Sequence, residues 1–198
     1  MTVPDTVSDD AAVFTEPLAA ALEIQEQIRV RSVDRVLVLG AGRLGQLIAQ
    51  SLVPVKCDLT VVARHRNQQA ILTGRQIGWI EAQAIRQQAF DIVIEATGSP
   101  DGLLLARRAV RPRGTIVLKS TYTEKGNTEM NFSTLVVDEI TLVGSRCGPF
   151  VPALERLENR LVDPTVLIAG RYGLSEASVA FEQAAEPGML KILFQIAP

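Results

Sequence analysis

The sequence predicts an α/β fold: a doubly wound, parallel six-stranded sheet with short N- and C-terminal appendages. Three observations carry that prediction. Short apolar runs alternate with helix-like stretches along most of the chain. Several runs are near-continuous (VLVL at 36–39, DIVIEA at 91–96, TIVL at 115–118), as strands covered on both faces are. The first run opens directly into the glycine-rich turn Gly40-Ala41-Gly42-Arg43-Leu44-Gly45 and a following apolar helix. With 47% hydrophobic residues over 198 positions, the chain has material for a full core.

Taken in order, Val3–Ala12 is polar with a proline and reads as an extended lead-in. Pro17–Ile28 carries Leu18, Ala21, Leu22, Ile24 and Ile28 at helical spacing, with its proline tolerable in a first turn. Strands are expected at Arg35–Leu39, Leu59–Ala63, Trp79–Ala82, Asp91–Ala96, Thr115–Lys119 and Ile140–Ser145. Helices are expected at Leu44–Leu52, Asn67–Thr73, Ala84–Gln88, Gly102–Val110 and Pro152–Glu158. The tail reads as strand Val166–Ala169, helix Glu176–Ala185 and strand Leu190–Ile196. The expected division is a lead-in and helix over 1–30, a dinucleotide-binding domain over 31–164, and a strand-helix-strand tail over 165–198.

Composition narrows the function classes. A net charge of −2 gives no electrostatic basis for binding nucleic acid or an anionic membrane. No apolar run approaches the roughly 20 residues of a membrane span. Met1–Asp10 carries acids and no basic region, unlike a secretory signal. Cys57 and Cys147 are too few for a disulfide framework or a structural zinc site, which fits a reducing, cytoplasmic setting.

The glycine turn carries the clearest chemistry. Gly40 permits the tight turn out of the strand, Gly42 lets backbone approach a phosphate closely, and Gly45 lets the helix sit on the strand. Free N–H groups from Arg43 to Gln46, with the helix dipole, then favour an anion. Strand, glycine turn and apolar helix together make this a Rossmann-type dinucleotide site. Gly40, Gly42, Arg43, Leu44 and Gly45 are its first candidates.

The end of the second strand bears on which dinucleotide is held. About 20 residues after the glycine turn, an NAD site presents Asp or Glu to the ribose diol. Here the chain reads Val62-Ala63-Arg64-His65-Arg66, with no acid. Nothing there repels a 2′-phosphate, and Arg64 and Arg66 offer planar donors suited to one. His65 can stack or donate. The segment also reads as a solvated basic turn; the NADP(H) reading over NAD(H) is preferred. At the end of the fourth strand, the small residues of Ala96-Thr97-Gly98-Ser99 leave room for a ligand at the switch point. Glu95 reads either as a partnered polar residue of the sheet, the favoured reading, or as a site residue.

The ordered set VFTEPLAAAL, VLVLGAGRLGQL, FDIVIEATGSP, VRPRGTIVLKS, ITLVGSRCGPF and LKILF resembles the medium-chain zinc-dependent alcohol/sorbitol/threonine dehydrogenases, from about Val3 to Phe194. The resemblance implies hydride transfer between nicotinamide and an alcohol or carbonyl. It implies that Thr97 and Gly98 wall the nicotinamide, and that Ser145, Arg146 and Cys147 lie near it, with Lys119-Ser120 at the end of the fifth strand. In that family a chaperonin-10-like barrel supplies the ligands of a catalytic zinc. This sequence shows no such barrel segment, so zinc is expected only with a separately supplied catalytic domain. Glu16 alone matches a position beside the metal, and it reads better as a helix-start acid. The resemblance also implies a homodimer through the edge strand at Ile140–Gly144.

Three functions compete on this basis. The first is the NADP(H)-binding part of a zinc-dependent dehydrogenase, not active alone. The second is a non-catalytic dinucleotide sensor or oligomerisation module. The third is a zinc-independent reductase using Tyr122 or Lys119. Its Tyr122-Thr123-Glu124-Lys125 places the lysine three residues after the tyrosine, not the four a short-chain reductase pair has. The substrate is not legible.

Overall fold

The structure, a computed structural model, describes residues 2–121 and 131–196. Helices α1 (Asp9–Ala12) and α2 (Thr15–Gln27) lead into β1 (Arg35–Leu39), α3 (Arg43–Leu52), β2 (Asp58–Val62), α4 (Arg66–Gly74) and β3 (Gly78–Ile80). The chain continues through β4 (Phe90–Glu95), α5 (Pro100–Ala109), β5 (Val110–Leu118), α6 (Phe132–Val137), β6 (Thr141–Gly144) and α7 (Phe150–Glu158). It ends in β7 (Ile168–Gly173), α8 (Ala177–Ala184) and β8 (Lys191–Gln195).

Six strands form one parallel sheet in the order β3-β2-β1-β4-β5-β6. The strand order reverses between β1 and β4, which makes their C-terminal ends the switch point. The period of two along β1 divides its side chains between two cores. Val36 and Val38 join a cluster with Leu18 and Ala21 of α2, Leu47 and Ile48 of α3, and Leu154 of α7. Leu37 and Leu39 join the opposite cluster with Val93, Ala106, Ala109 and Ile116. Leu37, Leu47, Ile48 and Ile94 are fully buried, each worth about 1.5–3 kcal/mol of transfer free energy. The fold class read from the apolar runs is therefore the one observed.

Several elements depart from the sequence reading. The lead-in contains the short helix α1, capped by Ser8, whose hydroxyl accepts from Ala11 N at 3.4 Å. The helix expected at Ala84–Gln88 is a 3-10 turn at Ala82–Ala84. Its backbone is committed elsewhere: Gln88 N donates to Arg108 O and Ala89 N to Ala109 O, at the end of α5. β5 begins at Val110 rather than Thr115, with an irregular register opposite Phe90 and Ile92. α6 was not legible, because its large side chains show no buried face: Phe132, Val136 and Val137 are exposed. In the tail, the expected strand at Val166–Ala169 begins as a 3-10 turn at Thr165–Leu167, and β7 follows it.

β7 and β8 pair with each other as a two-stranded parallel sheet. Leu167 and Leu190, at the roots of the two strands, are buried in the same cluster as α2, α3 and α7. The tail is thus rooted in the main core, while Leu174, Val179 and Phe181 are exposed.

Carboxylates tie the N-terminal edge of the sheet. Asp34 accepts from Arg31 N at 2.7 Å and from its guanidinium at 2.6 Å. The Arg31 hydrogen bond holds the Asp34 carboxyl below its ordinary value, against the opposing effect of burial. Asp91 bridges two elements, accepting from Arg35 N at 2.7 Å and Arg111 Nε at 2.6 Å. Burial alone would raise its pKa, but these donors outweigh burial and lower it. A carboxylate with a depressed folded pKa contributes stability that is complete above its unfolded value, about 3.9, and is lost as pH falls through the folded value. Stability should therefore hold from neutrality to about pH 5 as far as these groups matter, then fall below about pH 4. Asp91→Asn should cost roughly 1–2 kcal/mol at pH 7 and flatten that acid limb in denaturant melts taken across pH. An unchanged acid limb would show that Asp91 does not contribute to it.

Candidate functional site

Register places the strand ends at one level. Leu39 pairs with Val62 on one side and Glu95 on the other, Glu95 with Leu118, and Leu118 with Gly144. The residues that follow therefore leave the sheet along a single edge. They are the glycine turn, Arg64–Arg66, Thr97-Gly98, Lys119-Ser120 and Ser145-Arg146, most of the candidates named from the sequence.

The three glycines of the turn answer to different constraints. Gly40 stands at φ +97°, and a Cβ there would lie 2.8 Å from Ala96 O. It thus lets the ends of β1 and β4 meet at the switch point. A Cβ on Gly45 would lie 1.9 Å from Gly40 O, so α3 can sit on β1 only without one. Gly42 differs. Its backbone, φ −70° and ψ −172°, suits any residue, and a Cβ there would meet nothing within 4 Å. It is the N-cap of α3 with no side-chain cap, and it borders the main cleft. The fold accounts for Gly40 and Gly45 but leaves the space at Gly42 open.

That cleft has a volume of about 750 Å³. Gly42, Arg43 and Leu44 line it from the start of α3, Thr97 and Gly98 from the turn after β4, and Lys119, Ser120 and Arg146 from the segments after β5 and β6. Phe14 and Glu16 close it from the α2 side, and Met189 and Lys191 from β8. Among the described residues, four cations (Arg43, Lys119, Arg146 and Lys191) border it against one carboxylate, that of Glu16. Such a lining favours an anionic ligand.

The walls are held by polar ties. Glu95 is fully buried, and its carboxylate accepts from Thr97 N at 2.6 Å and from the Thr97 hydroxyl. Thr97 Oγ1 accepts in turn from Ser99 N at 3.1 Å, and Ser99 caps α5. A Cβ on Gly102 would lie 2.6 Å from Glu95 Oε1, so glycine there makes room for the carboxylate. Glu95 is thus the partnered residue that shapes the Thr97-Gly98 turn. Gly98, at φ +74°, donates through its N–H to Ser120 Oγ at 3.0 Å, joining β4 to β5.

Lys119 joins β5 to β6. Its Nζ donates to Ser145 Oγ at 2.9 Å and to Arg146 O at 2.8 Å. Burial pushes its pKa below the ordinary lysine value, opposed by the charges of Glu23, Cys147 and Glu16. Ser145 is buried behind it, while Arg146 and Cys147 are exposed. A Cβ on Gly148 would lie 1.9 Å from Ala19 O, so the β6–α7 loop rests directly on α2.

Not every candidate lines the cleft. Arg64, His65 and Arg66 stand on its flank at the end of β2, with the two arginines exposed and His65 half-buried at the N-cap of α4. Met189 and Lys191 were missed by the sequence reading, because only tertiary folding carries β8 to this edge. Glu16 lines the cleft, and among the described residues no three His, Cys, Asp or Glu side chains gather as metal ligands. Tyr122–Lys125 lie outside the described residues.

The sequence profile of the glucose dehydrogenase C-terminus matches residues 9–196, nearly the whole chain. The chain belongs to the glucose dehydrogenase C-terminus family. Its relatives include D-arabinitol dehydrogenase 1 of Uromyces fabae, 24% identical over 94% of this chain and 58% of that protein. Sorbitol dehydrogenase of Mus musculus is 24% identical over 99% of this chain and 59% of its own length. This member of the family thus spans about three fifths of the relatives it matches. Its fold is shared with a candidate zinc-binding dehydrogenase of Sinorhizobium meliloti 1021 bound to NADP (TM-score 0.87, 21% identity, 99% of this chain and 62% of that one). It is shared equally with the RspB short chain alcohol dehydrogenase of Escherichia coli CFT073 complexed with NADH (TM-score 0.85, 21% identity, 99% and 62%).

The two kinds of glycine should separate on substitution. Gly45→Ala should cost more than about 3 kcal/mol, because its clash is with backbone. Gly42→Ala should stay within about 1 kcal/mol of the parent. Chemical denaturation measures both, and similar losses at the two positions would contradict the assignment.

Proposed function

We propose that the chain is the NADP(H)-binding part of an alcohol or polyol dehydrogenase. Gly42 carries the reading. It is a glycine that the fold does not require, with open space at a helix N-terminus inside a cation-rimmed cleft. A diphosphate set there would receive the N–H groups of the first turn of α3 and the charge of Arg43, with Lys191 facing from β8. Thr97, Gly98 and Ser120 would then border the nicotinamide, held in place by Glu95 and Lys119. The nicotinamide supplies the hydride chemistry when bound; the residues of this chain bind and orient it and exclude water. Arg64 and Arg66, with no acid beside them, favour a 2′-phosphate over a bare ribose diol.

Zinc does not fit the described residues, since Glu16 alone cannot complete a tetrahedral site. The metal and its ligands would belong to a catalytic domain paired with this one. α6 precedes the edge strand β6 in the chain and exposes Phe132, Val136 and Val137, and Leu142 of β6 is exposed too. This apolar border supports a homodimer through β6.

NADPH should bind the chain more tightly than NADH in fluorescence titrations. Arg64→Asp should reverse that order by about tenfold or more. Tighter NADH binding by the parent would defeat the NADP(H) reading. Turnover on adding a zinc-bearing barrel domain would support the dehydrogenase assignment, and binding without turnover would favour a non-catalytic module. Leu142→Lys should turn a dimer into a monomer by light scattering, and a monomeric parent chain would remove the dimer proposal.

A further inference from the structure

The chain turns sharply at 186–189, between α8 and β8, and the turn comes to rest on the end of β2. Its hydrogen bond runs from Met189 N to Glu186 O at 3.1 Å, and Leu190 beyond it is buried in the main core. Gly188 stands at φ +84°, and a Cβ there would lie 2.8 Å from His65 Cγ and 3.0 Å from His65 Nδ1. The positive φ alone would admit Asn. Contact with the imidazole face is what leaves no room for any side chain. The Gly188 carbonyl accepts from Asn67 Nδ2 at 2.9 Å, while Asn67 Oδ1 accepts from Gln68 N at 2.9 Å. Asn67 therefore fastens the turn to the first turn of α4.

His65, held between this turn and α4, accepts through Nε2 from Arg64 Nε at 3.3 Å. Arg64 is exposed, and a free arginine there would spread over many rotamers. Holding it through Nε leaves both terminal NH₂ groups free in one plane, which is the arrangement that grips a phosphate.

We propose that the turn at Gly188 is a specificity-determining support for the dinucleotide: it fixes His65, and His65 aims the Arg64 guanidinium at the 2′-phosphate. His65, Asn67 and Gly188 are positioning residues in this arrangement. The choice between NADP(H) and NAD(H) then depends on a segment of the tail as well as on the β2 end. This rests on the NADP(H) reading of Arg64 and Arg66.

Titration of the full chain with NADPH and with NADH tests it. His65→Phe keeps a ring against Gly188 and removes the acceptor for Arg64. Asn67→Ala releases the turn, and Gly188→Ala pushes on the ring. Each should raise the Kd for NADPH about five- to tenfold and change that for NADH less than about twofold. His65→Gln, which restores an acceptor, should recover most of the NADPH affinity. If Gly188→Ala unfolds the tail, His65→Phe and Asn67→Ala still decide the matter. A parent that prefers NADPH with an unchanged NADPH-to-NADH ratio in both variants overturns the support role alone. Equal losses for the two dinucleotides overturn it as well, since a merely structural role would do that. A parent that prefers NADH overturns both this proposal and the NADP(H) reading beneath it.

Discussion

The first turn of α3 lies so close to the end of β1 that a Cβ on Gly45 would come within 1.9 Å of the Gly40 carbonyl. That contact sets where the helix begins and which way its N-terminus points. It also sets the height of Gly40 against Ala96, and so the meeting of β1 and β4 where the strand order reverses. From this crossing the rest follows in steps. Val36 and Val38 face α2, α3 and α7, Leu37 and Leu39 face α5, and the remaining strands align their ends with these two.

The edge so formed is held by polar ties more than by apolar packing. Glu95 fixes the Thr97 turn from beneath, Ser120 receives Gly98, and Lys119 bridges to Ser145 and the Arg146 carbonyl. A buried ammonium and a buried carboxylate are costly unless their hydrogen-bonding capacity is used. Both are used here to fix loops that bound the cleft. The outcome is a hydrogen-bonded set of loops on the β4–β5–β6 side and a helix N-terminus at the start of α3, with cations along the cleft.

Much of this was legible in the chain. Near-continuous apolar runs predicted a covered parallel sheet, and the glycine spacing predicted the β1–α3 turn, because both follow from local rules of sterics and pleat. The 3-10 turn at Ala82–Ala84 was not legible, since its neighbours spend their N–H groups on the distant carbonyls of Arg108 and Ala109. Nor was α6, which at six residues is too short for a helical period to stand out and leaves Phe132, Val136 and Val137 exposed. The site was read in pieces. The sequence placed Arg64 and His65 at a ribose position but offered no sign that Gly188 rests on the imidazole, or that Lys191 reaches the cleft from the end of the chain. Such contacts arise only when the tail folds back onto the core through Leu167 and Leu190.

The most direct measurement is an amide chemical-shift titration of the chain with NADPH. The largest shifts should fall on the N–H groups of Gly42, Arg43, Leu44 and Gly45, with a second group at Arg64–Asn67 and Gly98. Shifts confined to another surface, or no shifts at saturating NADPH, would contradict the assignment of the glycine turn as the dinucleotide site.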